Sequence, residues 1–135
     1  MTITSGSVNS GEYNDTTTDD NTSNLVISPS SNLIDFYFSF KNAPIPPEGF
    51  NAILLNLSAY KSTSGTYDVS IRNFTTNEWE PVVSTAAQTA DASHSFIKNN
   101  IGDWHNYIQD GEIRIQMYSS ASATNLNIDL IEIIL

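Results

Sequence analysis

Three observations predict an all-β chain folded as an antiparallel two-sheet jelly-roll β-sandwich of about nine strands. Apolar and polar residues alternate in segment after segment, as at Tyr67, Val69 and Ile71 and again at Ile34, Phe36, Phe38 and Phe40. Alternation of period two puts successive side chains on opposite faces of a pleated strand, so one face of each strand is buried. Short stretches rich in Gly, Pro, Asn and Ser separate these segments, and none carries a sustained helical repeat.

Residues 2–8 read as the first strand. Residues 9–24 are rich in Ser, Thr, Asn, Asp and Gly and read as a long loop, with room for a short strand near Tyr13. Residues 25–28 form a short apolar strand stopped by Pro29 and the turn Ser30-Ser31-Asn32. Residues 33–40 set Ile34, Phe36, Phe38 and Phe40 on one face and Asp35, Tyr37 and Ser39 on the other, which makes this a core strand.

Pro44, Pro46 and Pro47 remove three backbone donors, so residues 43–49 cannot continue a ladder and must cross over the surface. Residues 52–61 alternate Ile53, Leu55, Leu57 and Ala59 against Asn56, Ser58 and Tyr60. A turn at 62–65 leads into a hairpin over 66–83, whose second arm begins at Trp79. An Ala/Thr-rich loop or weak edge over 85–93 precedes a short strand at 94–98 that buries Phe96.

Ile101, Trp104, Tyr107 and Ile108 suit one helical turn or a packed aromatic plug closing one end of the sandwich. Residues 112–119 alternate Ile113, Ile115 and Met117 against Arg114, Gln116 and Tyr118. In the last strand Leu126, Ile128 and Leu130 share a face before the phase shifts at Ile131, which implies a bulge or burial on both sides. Long crossovers at 9–24 and 43–50 suit strands that switch sheets and favour the jelly roll over an immunoglobulin-like sandwich, whose Cys and Trp framework is absent.

The expectation is one domain over residues 1–135, with 1–24 as a polar N-terminal arm or long loop. The absence of cysteine excludes a disulfide framework, a thiolate metal site and a cysteine nucleophile. Fifteen acidic residues against five basic ones, a formal net charge of -10, repel phosphate backbones and anionic lipid, so neither nucleic acid nor membrane is an expected partner. The first residues show no basic and apolar leader, and no apolar run reaches the roughly 18 residues a membrane span needs.

The order of DVSIRNFTTNEW, then DGEIRIQMYSS, then NIDLIEI resembles the jelly-roll modules of bacterial extracellular and phage structural proteins. These are similar to galactose-binding-like and carbohydrate-binding modules. The resemblance implies the sandwich fold, and in such modules a structural calcium often joins the N-terminal loop to the last strand. Carried onto this chain, Glu12 or Asp19 and Asp20 would meet Asp129, supplying the carboxylate oxygens a hard cation prefers.

Enzymatic constellations are missing. His94 and His105 have no metal-ligand spacing and no GxSxG elbow accompanies them. The acidic pairs Asp19 with Asp20 and Glu78 with Glu80 read as solvated side chains, so no catalysis is expected. Sugar binding instead needs an exposed aromatic face flanked by hydrogen-bonding side chains. Tyr60, Tyr118, Trp104 and Tyr107 are the candidate platforms, with Tyr60 and Tyr118 alternating away from the core face, while Trp79 is expected to pack the hairpin. Sequons at Asn14, Asn21, Asn56 and Asn73 follow from composition.

The expected function is a non-enzymatic binding or structural module on a virion or extracellular surface. The first reading is a virion surface protein, decorating a capsid as a homo-oligomer or against a capsid protein, because the chain shows no leader and the apolar strand ending Ile133-Ile134-Leu135 offers a second face. The alternative is a carbohydrate-binding module of an extracellular protein, with a glycan as partner.

Overall fold

A computed structural model describes residues 1–12, 16–17, 25–46, 52–61, 66–86, 93–99, 102–120 and 124–135. Among them are ten strands: β1 (Thr2–Ser5), β2 (Ser7–Ser10), β3 (Leu25–Ser28), β4 (Ile34–Phe40), β5 (Ala52–Lys61), β6 (Thr66–Asn73), β7 (Glu78–Ala86), β8 (Ser93–Asn99), β9 (Ile113–Ser119) and β10 (Leu126–Ile134). They form two five-stranded sheets, β1-β4-β9-β6-β7 and β2-β3-β10-β5-β8, and every strand pairing is antiparallel. The fold is a jelly-roll sandwich. No helix among the described residues is long and apolar enough to cross a membrane.

The alternating residues account for the core. The first sheet contributes Ile34, Phe36 and Phe38 from β4, Tyr67, Val69 and Ile71 from β6, and Ile113, Ile115 and Met117 from β9. The second contributes Leu25 and Ile27, then Ile53, Leu55, Leu57 and Ala59, then Leu126, Ile128 and Ile131. All are buried, and burying an aliphatic or aromatic side chain stabilises by roughly 1.5–3 kcal/mol, so two facing apolar layers hold the sheets together.

Three differences from the sequence expectation have identifiable causes. The segment expected as one strand over 2–8 is two strands in different sheets, with Ser5 opposite Asp35 and Ser7 opposite Ser28. The switch occurs at Gly6, where φ is +102° and an added Cβ would lie 2.7 Å from the Ser28 carbonyl oxygen. Only glycine meets both conditions. The first ten residues are therefore built into both sheets, and of the rest of the expected arm, residues 13–15 and 18–24 lie outside the described residues.

The irregularity in β10 falls earlier than expected. Register shifts between Ile128 and Leu130, so Leu130 leaves the core face and Ile131 takes its place opposite Leu57. A bulge inserts one residue into the ladder and inverts the facing of everything after it. A second shift lies between Val69 and Ser70, which pair with Val83 and Pro81. Pro81 is exposed on the edge strand β7, where a missing backbone donor is tolerated.

Candidate functional site

The outward face of the first sheet collects side chains that are far apart in sequence. Its rows follow from register: Asp35, Tyr118 and Asp68 lie across β4, β9 and β6, and the next row holds Tyr37, Gln116 and Ser70. Trp79 on β7 stands opposite Arg72 on β6. Strands β9 and β6 separate Tyr37 from Trp79, a backbone span of roughly 14 Å at ordinary strand spacing. Yet their ring centroids are 5.6 Å apart, tilted by 46°. The two side chains therefore reach toward each other across the intervening strands.

Two guanidinium groups flank these rings. Arg72 lies 5.2 Å from the centroid of Trp79, while Arg114 lies 5.5 Å from that of Tyr37 and 5.3 Å from that of Phe74. A cation over an aromatic face is attracted by the ring quadrupole, so the arginines hold the rings in place. Arg114 is fixed in turn by Glu112, to which Nε and Nη2 donate at 2.9 and 3.1 Å. Glu112 also accepts from the Ser39 hydroxyl and pairs with Lys41 at 2.8 Å. The Arg114 hydrogen bonds hold its carboxyl down at about 2, against the opposing effect of burial, with help from Lys41 and Ser39.

The rest of the face supplies hydrogen-bonding groups. Gln116 Nε2 donates to Asp35 Oδ1 at 2.7 Å, and Asp68, Ser70 and Tyr118 are half-buried beside them. Planar aromatic surface bordered by amide, carboxylate and hydroxyl groups can stack on the C–H face of a sugar ring and bond its hydroxyls.

The hairpin carrying Trp79 is rigidly turned. Asn73 Oδ1 accepts from the backbone N–H of Thr75 and Thr76 at 2.9 and 3.0 Å, and Asn77 adopts a positive φ of 60°. Behind it, the Phe74 N–H donates to the Asn106 carbonyl, tying the hairpin to the 3-10 turn Trp104–Asn106.

The expected platform residues separate. Tyr118 belongs to the face just described, whereas Tyr60 lies on the second sheet opposite Asn127. Trp104 packs against the core and stacks on His105 at a centroid distance of 3.7 Å. Tyr107 is 5% exposed and donates its hydroxyl to Glu80 Oε2 at 2.7 Å. Burial, then the Glu80 carboxylate, push the Tyr107 hydroxyl up to about 12. Tyr107 is thus a packing residue, not an open platform, while Trp104 is half-buried.

Sequence reasoning passed over Tyr37 and assigned Trp79 to hairpin packing. The outward phase of Tyr37 was legible beside Asp35 and Ser39, but its neighbour across the sheet was not.

The carboxylates considered for calcium are only partly described. Asp129 is fully buried at the β10 bulge, and Thr17 forms a bridge to Leu130, so the N-terminal segment does reach the last strand there. Glu12 is exposed, and Asp19 and Asp20 lie outside the described residues. Among the described residues no group of three or more His, Cys, Asp or Glu gathers. His105 sits on the exposed loop with Nδ1 2.6 Å from Asp103 Oδ1, a hydrogen bond that lowers the Asp103 carboxyl. The His94 side chain lies outside the described residues.

Comparison with known proteins places this geometry in context. The family model of the N-terminal glycosyl-hydrolase-114-associated domain matches residues 10–130. Among solved structures, BiXyn10A CBM1 in its apo form superposes with a TM-score of 0.58 at 18% identity, covering 98% of this chain and 91% of that one. A CBM4 structure gives 0.55 at 11% identity, covering 83% and 70%. The enzymatically active domain of tailspike protein 4 of bacteriophage CBA120 gives 0.50 at 11% identity, covering 82% of this chain and 15% of that one. At these identities the likeness is one of fold. No curated protein matches by sequence.

Proposed function

We propose a function from one premise: the chain belongs to the family of N-terminal glycosyl-hydrolase-114-associated domains. It is a non-catalytic carbohydrate-binding module of an extracellular protein, and its binding surface is the outward face of the first sheet. Tyr37 and Trp79 are the stacking platform, while Gln116, Asp35, Asp68 and Tyr118 bond sugar hydroxyls. The carrying observation is the Tyr37–Trp79 pair, two rings brought within 5.6 Å across a sheet face instead of into the core. Support comes from the family's link to glycosidases and from the shared fold of carbohydrate-binding modules. The same fold occurs in part of a phage tailspike, but no observation favours capsid decoration or a homo-oligomer.

The test is titration of the purified chain with a panel of soluble polysaccharides by affinity electrophoresis and calorimetry. Aromatic contacts contribute roughly 0.5–1.5 kcal/mol beyond the area they bury, so Trp79→Ala and Tyr37→Ala should each weaken binding by about tenfold without lowering the melting midpoint much. Binding that survives both substitutions unchanged would put the site elsewhere, Tyr60 on the second sheet being the next residue to replace.

A further inference from the structure

The five basic side chains of this chain are all described; three pair with carboxylates and a fourth is enclosed in the fold. Lys41 and Arg114 share Glu112, Lys98 pairs with Glu80 at 3.1 Å, and Lys61 is buried with Nζ 3.3 Å from the Ser119 hydroxyl. Arg72 differs. Its Nη2 donates to the side-chain oxygen of Asn77, a neutral amide, and its guanidinium lies over Trp79, with no carboxylate in ion-pair range among the described residues. In a chain with three times as many acidic as basic residues, a half-buried guanidinium left without an anion marks a place where one is missing.

Nearby acids do not fill that place. Asp68 lies four residues back on β6, roughly 13 Å along an extended strand. Asp35 is bonded to Gln116 beyond Tyr37, and Glu112 is taken up by Arg114 and Lys41. Glu78 neighbours Trp79 in sequence but stands opposite the buried Asn73, in the opposite phase of the strand. A guanidinium has five N–H donors in a planar fork suited to carboxylate or sulfate, and Arg72 is held in place by its hydrogen bond to Asn77 and by the indole.

We infer that Arg72 and Trp79 form a subsite for an acidic sugar unit, whose carboxylate or sulfate meets the guanidinium while its ring packs on the indole. This rests on the carbohydrate-binding reading above and narrows it to anionic glycans. The net charge of -10 does not oppose it at close range, because charges farther than about 8 Å are largely screened at physiological salt. The same net charge suppresses indiscriminate adsorption of polyanions, so any preference for acid reports a local contact.

The experiment compares three oligosaccharides by calorimetry at physiological salt: an oligogalacturonide, its fully methyl-esterified form, and a sulfated galactan oligosaccharide. The ester keeps the ring and loses the charge. The expected result is tighter binding of at least one acidic probe than of the ester, by about tenfold. Arg72→Gln should bring that ratio to within about twofold of unity, with a melting midpoint close to that of the parent. Whichever of the carboxylated and sulfated probes binds tighter identifies the anion.

Equal affinity for ester and acid, or a preference that survives Arg72→Gln, overturns the subsite while leaving the aromatic platform intact, provided Trp79→Ala weakens binding of the ester by about tenfold. If none of the three probes nor any member of the polysaccharide panel binds, the platform itself fails, and the subsite with it.

Discussion

Tyr107 and Glu80 are joined by a 2.7 Å hydrogen bond at the end of the sandwich, linking the loop after the 3-10 turn to edge strand β7. Glu80 also accepts from Asn73 Nδ2 at 2.7 Å and pairs with Lys98 of β8 in the other sheet. One carboxylate thus gathers both sheets, the hairpin turn and the aromatic plug. Tyr107→Phe keeps the ring and removes the donor, and hydrogen bonds to charged groups contribute about 1.5–3 kcal/mol. Glu80 keeps two other partners and is partly solvated, so the expected loss in urea unfolding is nearer 1 kcal/mol. An unchanged midpoint would mean that the hydroxyl contributes nothing to the fold.

Gly6 is the pivot between sheets. A Cβ there meets the Ser28 carbonyl oxygen at 2.7 Å in a backbone conformation that L residues avoid, so Gly6→Ala should cost about 1–3 kcal/mol. Gly102 also has a positive φ, +64°, but nothing lies within 4 Å of its added Cβ. Gly102→Ala should cost only about 1 kcal/mol. Thermal melts of the two variants side by side test this order, and equal losses would show that the clash at Gly6 relaxes freely.

Acid should loosen the arginine-lined face. The Glu112 carboxyl titrates at about 2 in the fold, below its unfolded value of 4.5, because the folded state favours its charged form. The stability it contributes is therefore present above about pH 4.5 and is lost as pH falls toward 2. Glu112→Gln should flatten the dependence of the melting midpoint on pH between 5 and 2. If the parent and variant slopes coincide, Arg114 is not anchored as described.

At the alkaline end the sign reverses. The Tyr107 hydroxyl, raised to about 12 from 10, favours its neutral form in the fold, so its contribution holds below pH 10 and fades as pH rises toward 12. Ultraviolet titration should show late tyrosine ionisation that Tyr107→Phe reduces. A titration curve that Tyr107→Phe leaves unchanged at its alkaline end would contradict the assignment.

The two tryptophans should respond differently to ligand. Trp79 lies on the proposed binding face, and Trp104 sits at the loop end of the sandwich, packed against the core and stacked on His105. Glycan addition should change the emission of Trp104→Phe, which retains Trp79, and leave Trp79→Phe silent. The opposite pattern would move the site to the loop end of the sandwich.

Much of this molecule was legible before folding. The inward rows Ile34, Phe36, Phe38 and Ile113, Ile115, Met117 are buried as their alternation required, because a pleated strand has only two faces and one of them must leave water. The crossover prolines, the turn residues and a bulge in the last strand followed from the same local rules. The sheet switch at Gly6 was not legible, since the conflict lies between a Cβ that does not exist and a carbonyl on β3.

The candidate site shows the same division. By itself the sequence determined that Tyr37, Tyr60 and Tyr118 alternate away from the core, a property of each strand alone. Only the tertiary structure decided that Tyr118 shares a face with Tyr37, that Tyr60 belongs to the other sheet, and that Trp79 reaches Tyr37 over β9 and β6. Strand neighbours are chosen by packing and register between distant segments, and neither is written in the local pattern of a single strand.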